Sequence, residues 1–142
     1  LLLPYCSKSS EQPQLQSEHT QKIKGVLEYI GLHYTENISI ESLASSCYFS
    51  EYHFMRFFKK YVGMSCLDYI KSLRLQKAAD LLEQQELSIT DAAMTAGFSS
   101  LSYFYREFKK RYGTTPRQFI HSLPERQHTN RTSTPGSPFS PL

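Results

Sequence analysis

The chain has 142 residues, 39% hydrophobic and 20% charged, with 10 Tyr, 9 Phe, no Trp and a formal net charge of +3. This is the balance of one ordinary domain with a useful core; it excludes two large domains, and the lack of any long apolar run excludes a bilayer-spanning segment. Three cysteines, Cys6, Cys47 and Cys66, form no Cys-x-x-Cys pair, which argues against a disulfide framework or a metal cluster and suits a reducing cytoplasm.

In chain order, residues 1–19 are polar and rich in Gln and Ser, with Pro4 and Pro13, and read as a linker. Leu1-Leu2-Leu3 is too short for a signal-peptide core and has no basic flank; lacking an initiating Met, the chain reads as a fragment or processed piece. Ile23, Val26, Leu27, Ile30 and Tyr34 follow helical spacing and predict a first helix. Ser39 is a good N-cap for a short second helix holding Ile40, Leu43 and Ala44. Ser50 caps a third, with Phe54, Phe57, Phe58 and Tyr61 on one face and a stop at Gly63. Ser65-x-x-Asp68 resembles a capping box opening a long helix to about Gln85. Ser88-x-x-Asp91 opens a fifth helix ending at Gly97, and Ser100 opens a sixth, with Phe104, Phe108 and Tyr112 inward, ending at Gly113. Thr115-Pro116-x-Gln118 supplies a cap, a proline at the first helical position and an acceptor at the third, starting a seventh. From Pro124 the composition turns to Pro, Ser, Thr and Gly, and 124–142 is expected to be a disordered tail. No β-alternation competes, so the expected fold is all-α with seven helices.

Sliding the chain against itself by fifty residues exposes an internal repeat. Between Ser50 and Ile70, eight of 21 positions are identical, among them Ser50/Ser100, Phe54/Phe104, Arg56/Arg106, Phe58/Phe108 and Gly63/Gly113. Upstream, at a shift of forty-nine, Ser39-Ile40 meets Ser88-Ile89, Ala44 meets Ala93 and Phe49 meets Phe98. Each half is a short helix, a tight turn, an aromatic-faced helix, a glycine stop and a further capped helix, which makes two helix-turn-helix subdomains joined by a long linker helix. The divisions expected are 20–63, 64–85 and 86–123.

On a wheel of about 100° per residue, Tyr52, Arg56 and Lys59 lie opposite the aromatics with Met55 beside them, and Ser102, Arg106 and Lys109 occupy the matching face of the second copy. Core packing accounts for the aromatics but not for an arginine recurring outward in both copies. Arginine suits bidentate contact with guanine edges, lysine one turn on reaches phosphate, and a serine-capped helix start approaches phosphate through its N–H groups. Charge agrees: residues 20–54 carry two lysines against four glutamates, whereas 55–120 carry eleven basic residues against six acidic, as for a polyanionic partner. A 21-residue spacer from Ser65 to Gln85 would span about 31 Å, close to the 34–36 Å turn of B-DNA, so that two recognition helices could enter successive major grooves.

Ser39-Ile40-Glu41-Ser42-Leu43-Ala44, then Ser50-x-x-x-Phe54-x-Arg56-x-Phe58-Lys59-Lys60-x-x-Gly63, then Arg74-Leu75-x-x-Ala78 resemble the AraC/XylS family of bacterial transcription regulators. The second copy, Gly97-Phe98-x-Ser100-x-x-Tyr103-Phe104-x-Arg106-x-Phe108-Lys109-Lys110-x-x-Gly113-x-Thr115-Pro116, is similar to that family's signature. The resemblance covers about a hundred residues and implies double-stranded DNA as partner. It implies base reading by Glu51, Tyr52, Met55 and Arg56 in one helix and Leu101, Ser102, Tyr105 and Arg106 in the other. Backbone contacts fall on Ser50, Lys59, Lys60, Ser100, Lys109 and Lys110. It further implies activation through RNA polymerase and an effector-binding or dimerisation domain outside this chain. Cys66 stands where the family usually has proline, and Leu101 where a polar reader is frequent, which favours contact with thymine methyls.

Other residues carry plainer readings. Cys47 and Cys66 read as small buried side chains, His53 as a surface or partly packed residue, and Lys71, Arg74 and Lys77 as either a solvated face or a backbone-following one. No nucleophile–base constellation, phosphate loop, cofactor or metal motif appears, so no enzyme activity is expected. Two alternatives remain: a helical protein-interaction module using Tyr52, Met55, Leu101 and Tyr105, and an appendage to an enzyme whose chemistry lies elsewhere.

Overall fold

Six hydroxyl side chains start six helices. In the computed structural model, which describes residues 2–124 and the side chains of 16–124, seven helices and no strand occur among the described residues. They are α1 (Leu2–His33), α2 (Ile40–Ser46), α3 (Glu51–Val62), α4 (Cys66–Gln84), α5 (Ile89–Ala96), α6 (Leu101–Tyr112) and α7 (Pro116–His121). The Oγ atoms of Ser39, Ser50, Ser65 and Ser88 each accept from a backbone N–H three residues on at 3.1 Å, and Ser100 does so at 3.2 Å. Thr115 and Gln118 close a full capping box, Gln118 N–H donating at 3.1 Å and Gln118 Oε1 accepting from Thr115 N–H at 3.2 Å. Each such cap satisfies a donor the helix itself leaves unpaired and contributes about 1 kcal/mol. Gly63, Gly97 and Gly113 end α3, α5 and α6 in the left-handed region, at φ 95°, 111° and 79°.

Two elements differ from expectation. Backbone 2–19, which reads as linker, is helical and continuous with α1. Pro4 lies in the first turn, where its missing N–H has no partner to lose, and extending a helix already held at Ile23, Val26 and Ile30 costs far less than starting one. The long helix is 19 residues, Cys66–Gln84, about 28 Å, two residues shorter than expected. Ser65 stays outside as its cap, and Gln85 turns left-handed at φ 59°. The expected disordered tail, beyond Pro124, lies outside the described residues.

The chain divides into two compact units, with the boundary at Lys71/Ser72 inside α4 rather than at its ends. In the first, Ile23, Val26 and Ile30 of α1, Leu43, Ala44 and Cys47 around α2, and Phe54, Phe57 and Phe58 of α3 are buried, with Cys66 and Ile70 from the start of α4. In the second, Leu75, Ala78, Ala79 and Leu82 form one cluster with Ala92, Ala93 and Ala96 of α5, then Phe98, Phe104 and Phe108. Tyr61, expected inward, is 38% exposed: it packs its ring against Phe57 at 5.0 Å and places its hydroxyl 3.0 Å from His19 Nδ1 of α1.

The helix-turn-helix turns differ in length, the second carrying the extra residue Ser99 before its cap, and in the residue that takes the left-handed position. The second uses Gly97 in the left-handed region; the first places Tyr48 there at φ 63°, 90% exposed. Left-handed backbone costs a side-chain-bearing residue roughly 1–2 kcal/mol, of which glycine's extra chain entropy returns part. Tyr48→Gly is therefore expected to stabilise the chain by about 0.5–1 kcal/mol in urea unfolding. Gly63→Ala and Gly113→Ala, whose added Cβ would meet nothing within 4 Å, are each expected to lose about 1 kcal/mol from backbone conformation alone.

Candidate nucleic-acid interface

From residue 51 to 60 and from 101 to 110 the exposure pattern is the same position by position. The cause is the pair of phenylalanines at i and i+4, Phe54/Phe58 and Phe104/Phe108, all fully buried. With about 100° of rotation per residue, burying i and i+4 turns i+2 outward, and i+2 is Arg56 in α3 and Arg106 in α6.

In the first unit Glu51, Tyr52, Arg56, Lys59 and Lys60 are exposed and Met55 is half-buried. Arg56 Nη1 donates to Tyr52 Oη at 3.0 Å, with its guanidinium 5.6 Å from the same ring, so two of the expected readers are joined on one exposed face. Glu51 sits in the first turn of α3, where it also complements the helix dipole. In the second unit Leu101, Ser102 and Arg106 are exposed and Tyr105 is half-buried, its ring edge-on to Phe104 at 6.0 Å. Leu101, Ser102, Tyr105, Arg106 and Lys109 line one shallow concavity of about 630 Å³ together with Thr115. Arg106 lies 5.2 Å over the Tyr103 ring. Lys110 is exposed and faces the Glu107 carboxylate at 3.8 Å.

Ser50 and Ser100 each accept one backbone N–H in the caps of α3 and α6, which leaves each hydroxyl proton able to donate to a phosphate at the helix start. His53 stacks on Phe49, with centroids 4.1 Å apart, so it is a packed surface residue. Lys71, Arg74 and Lys77 are half-buried on α4, and Lys71 pairs with Asp68 at 3.5 Å. Burial pulls the Arg74 guanidinium below its ordinary value, while Tyr103 opposes that shift.

Sequence reading missed three features. Glu107 is a carboxylate only 6% exposed; its signal was the mismatch with Phe57 on an otherwise inward position of the repeat. Tyr103 serves Arg106 where Tyr52 serves Arg56, one register apart. His19, inside the segment read as linker, packs on Phe57 and Tyr61.

Two helix-turn-helix units, each presenting an arginine from a capped and aromatic-backed helix, define a double helix-turn-helix DNA-binding domain. A helix-turn-helix domain family matches residues 43–122, more than half of the chain. The chain belongs to the AraC/XylS family of transcription regulators. It is 32% identical over 125 residues to the regulatory protein PocR of Salmonella typhimurium, covering 88% of this chain and 41% of PocR. It is 39% identical over 84 residues to the "Probable transcription factor PqrA" of Proteus vulgaris, covering 59% of this chain and 69% of PqrA. A solved AraC-type transcriptional regulator from Chromobacterium violaceum shares 26% identity at a TM-score of 0.66, over 75% of this chain and 95% of that one. The chain thus spans less than half the length of PocR.

No described helix is long and apolar enough to cross a membrane, and no group of three or more His, Cys, Asp or Glu among the described residues is placed to hold a metal ion. Cys47 and Cys66 are buried, and burial pushes the Cys66 thiol up to about 11. The folded state holds that proton where the unfolded chain releases it, so stability is expected to fall as pH rises from about 9 to about 11. In a Cys6→Ser chain, thiol titration with a chromogenic disulfide at pH 8 should read close to zero in buffer and two on unfolding; a fast native thiol would contradict the buried assignment.

Proposed function

We propose that this chain is a sequence-specific reader of double-stranded DNA that regulates transcription, with α3 and α6 each entering a major groove. The observation that carries the reading is the shared rotation of the two helices, in which the buried pairs Phe54/Phe58 and Phe104/Phe108 turn Arg56 and Arg106 outward. Glu51, Tyr52, Met55 and Arg56 read one half-site, and Leu101, Ser102, Tyr105 and Arg106 the other. Ser50, Lys59, Lys60, Ser100, Lys109 and Lys110 contact phosphates and set register. The half-buried position of Met55 and Tyr105 fits apolar contact with base methyls better than hydrogen bonding. Membership of the family supports activation through RNA polymerase in a bacterial cytoplasm, and PocR is itself named a regulatory protein. An effector-binding or dimerisation domain, on this reading, lies outside these residues, which match 41% of PocR.

Arg56→Ala and Arg106→Ala are each expected to lose about 1–3 kcal/mol of discrimination at one base pair, measured by titrating the selected duplex and its single-substitution variants. Lys59→Ala should weaken cognate and random duplex alike and reduce the salt slope by about one unit. Equal losses on all duplexes for the arginine variants would refute the reader assignment. Selection from a random duplex library is expected to return two short half-sites about one turn apart; a module that binds only protein would return none and would lack salt-dependent retention on heparin.

A further inference from the structure

α3 and α6 bury the same register positions, and at one of them the chemistry is reversed. Phe57 is 5% exposed and sits among aromatic rings, with His19 at 5.4 Å, Phe49 at 5.1 Å and Tyr61 at 5.0 Å. Glu107 takes that register in α6 and is 6% exposed. A carboxylate removed from water is tolerated only where cations or donors answer it. Two that do are Arg106, whose Nε lies 3.5 Å from Oε2, and Lys110, whose Nζ lies 3.8 Å from the same oxygen. Both cations keep most of their side chains in solvent, at 66% and 71% exposure, while the carboxylate side chain keeps 7%. The buried acid therefore touches, from beneath, one side chain assigned to a base and one assigned to the backbone.

The Arg106 guanidinium is a rigid fork. With Nε 3.5 Å from the Glu107 carboxylate and the guanidinium carbon 5.2 Å over the Tyr103 ring, it has two neighbours that hold it. The edge that Glu107 does not engage is the pair of terminal nitrogens, the edge that pairs end-on with guanine O6 and N7. We propose that Glu107 is a positioning residue for sequence reading: it pre-sets Arg106 for bidentate base contact and restrains Arg106 and Lys110 from indiscriminate phosphate binding. This rests on the assignment of Arg106 as a base reader.

The role makes two readouts move in opposite directions, which a merely structural role would not. Glu107→Gln keeps size and removes charge; it is expected to lower discrimination at the Arg106 base pair about fivefold. It should also raise affinity for random duplex and steepen the salt slope by up to about one unit. Glu107→Phe installs the residue that fills this register in α3; it should lose discrimination in the same way, and it carries the test if Glu107→Gln does not fold. Adding Arg106→Ala to either variant should bring no further loss of discrimination beyond Arg106→Ala alone. Fluorescence anisotropy with the selected duplex, its single-substitution variants and a random duplex reads all of these. If Arg106→Ala loses discrimination while the Glu107 variants keep it, or bind every duplex more weakly by one factor, the proposal is overturned and the reader assignment stands. If Arg106→Ala itself leaves discrimination intact, the reader assignment fails and the proposal falls with it.

Discussion

Everything outward in α3 and α6 is decided by what is inward. Phe54 and Phe58, with ring centroids 6.0 Å apart, and Phe104 and Phe108, 5.4 Å apart, are each sealed completely. Two large rings one helical turn apart leave a helix a single rotation about its axis, because rolling it by one residue would drag both into water. Burying a phenylalanine is worth roughly 1.5–3 kcal/mol, so rotating the helix costs more than any outward side chain could recover from solvent. Arginine at i+2 is therefore turned outward by the phenylalanines and not by its own contacts, which act only on its guanidinium.

A helix held in rotation still needs its ends fixed. Serine caps start α3 and α6, and left-handed glycines stop them at Gly63 and Gly113, so each is 12 residues long in both units. Against this repeated frame the two copies diverge at a few positions. Tyr48 answers Gly97 at the turn, Glu51 answers Leu101 in the first helical turn, and Cys66 answers Pro116 at the start of the following helix. Cys66 and Pro116 are both buried at that first position, where a backbone N–H has no intrahelical partner, so the proline's missing donor costs nothing and a small thiol fits the same space.

Helix types, caps and stops were legible because they depend on residues three or four apart, and so was the outward face, since the i, i+4 aromatic pair settles rotation from sequence alone. Three things were not. The helicity of residues 2–19 depends on α1 being anchored further along, at Ile23, Val26 and Ile30, which composition of the segment does not reveal. Tyr61 carried the spacing of a core residue, yet its hydroxyl finds His19 at 3.0 Å and keeps it at the surface. Glu107 carried the identity of a surface residue at the register of a core one, and helical periodicity gives no rule for which of identity and register prevails; the repeat does, because Phe57 had already shown that the position faces inward.

The same conflict explains why the two reading surfaces differ in character. In α3 the outward arginine leans on another outward side chain, Tyr52, through both hydroxyl and ring. That support lies on the surface itself, so anything that engages Tyr52 also disturbs Arg56. In α6 the arginine leans on Tyr103 and on a carboxylate from the buried side, which no partner approaching the outer face can reach. On the proposed reading, the first surface adapts as a unit to the base pair it meets, while the second keeps its orientation whatever is presented. Lys109, Lys110 and Arg111 gather positive charge in the last turn of α6, and on the same reading that charge attracts phosphate without carrying sequence information. On that reading a rigid reader is of most use beside such a charge cluster: the cluster draws the helix to any duplex, and an arginine whose orientation is already settled adds the cost of a wrong base pair on arrival.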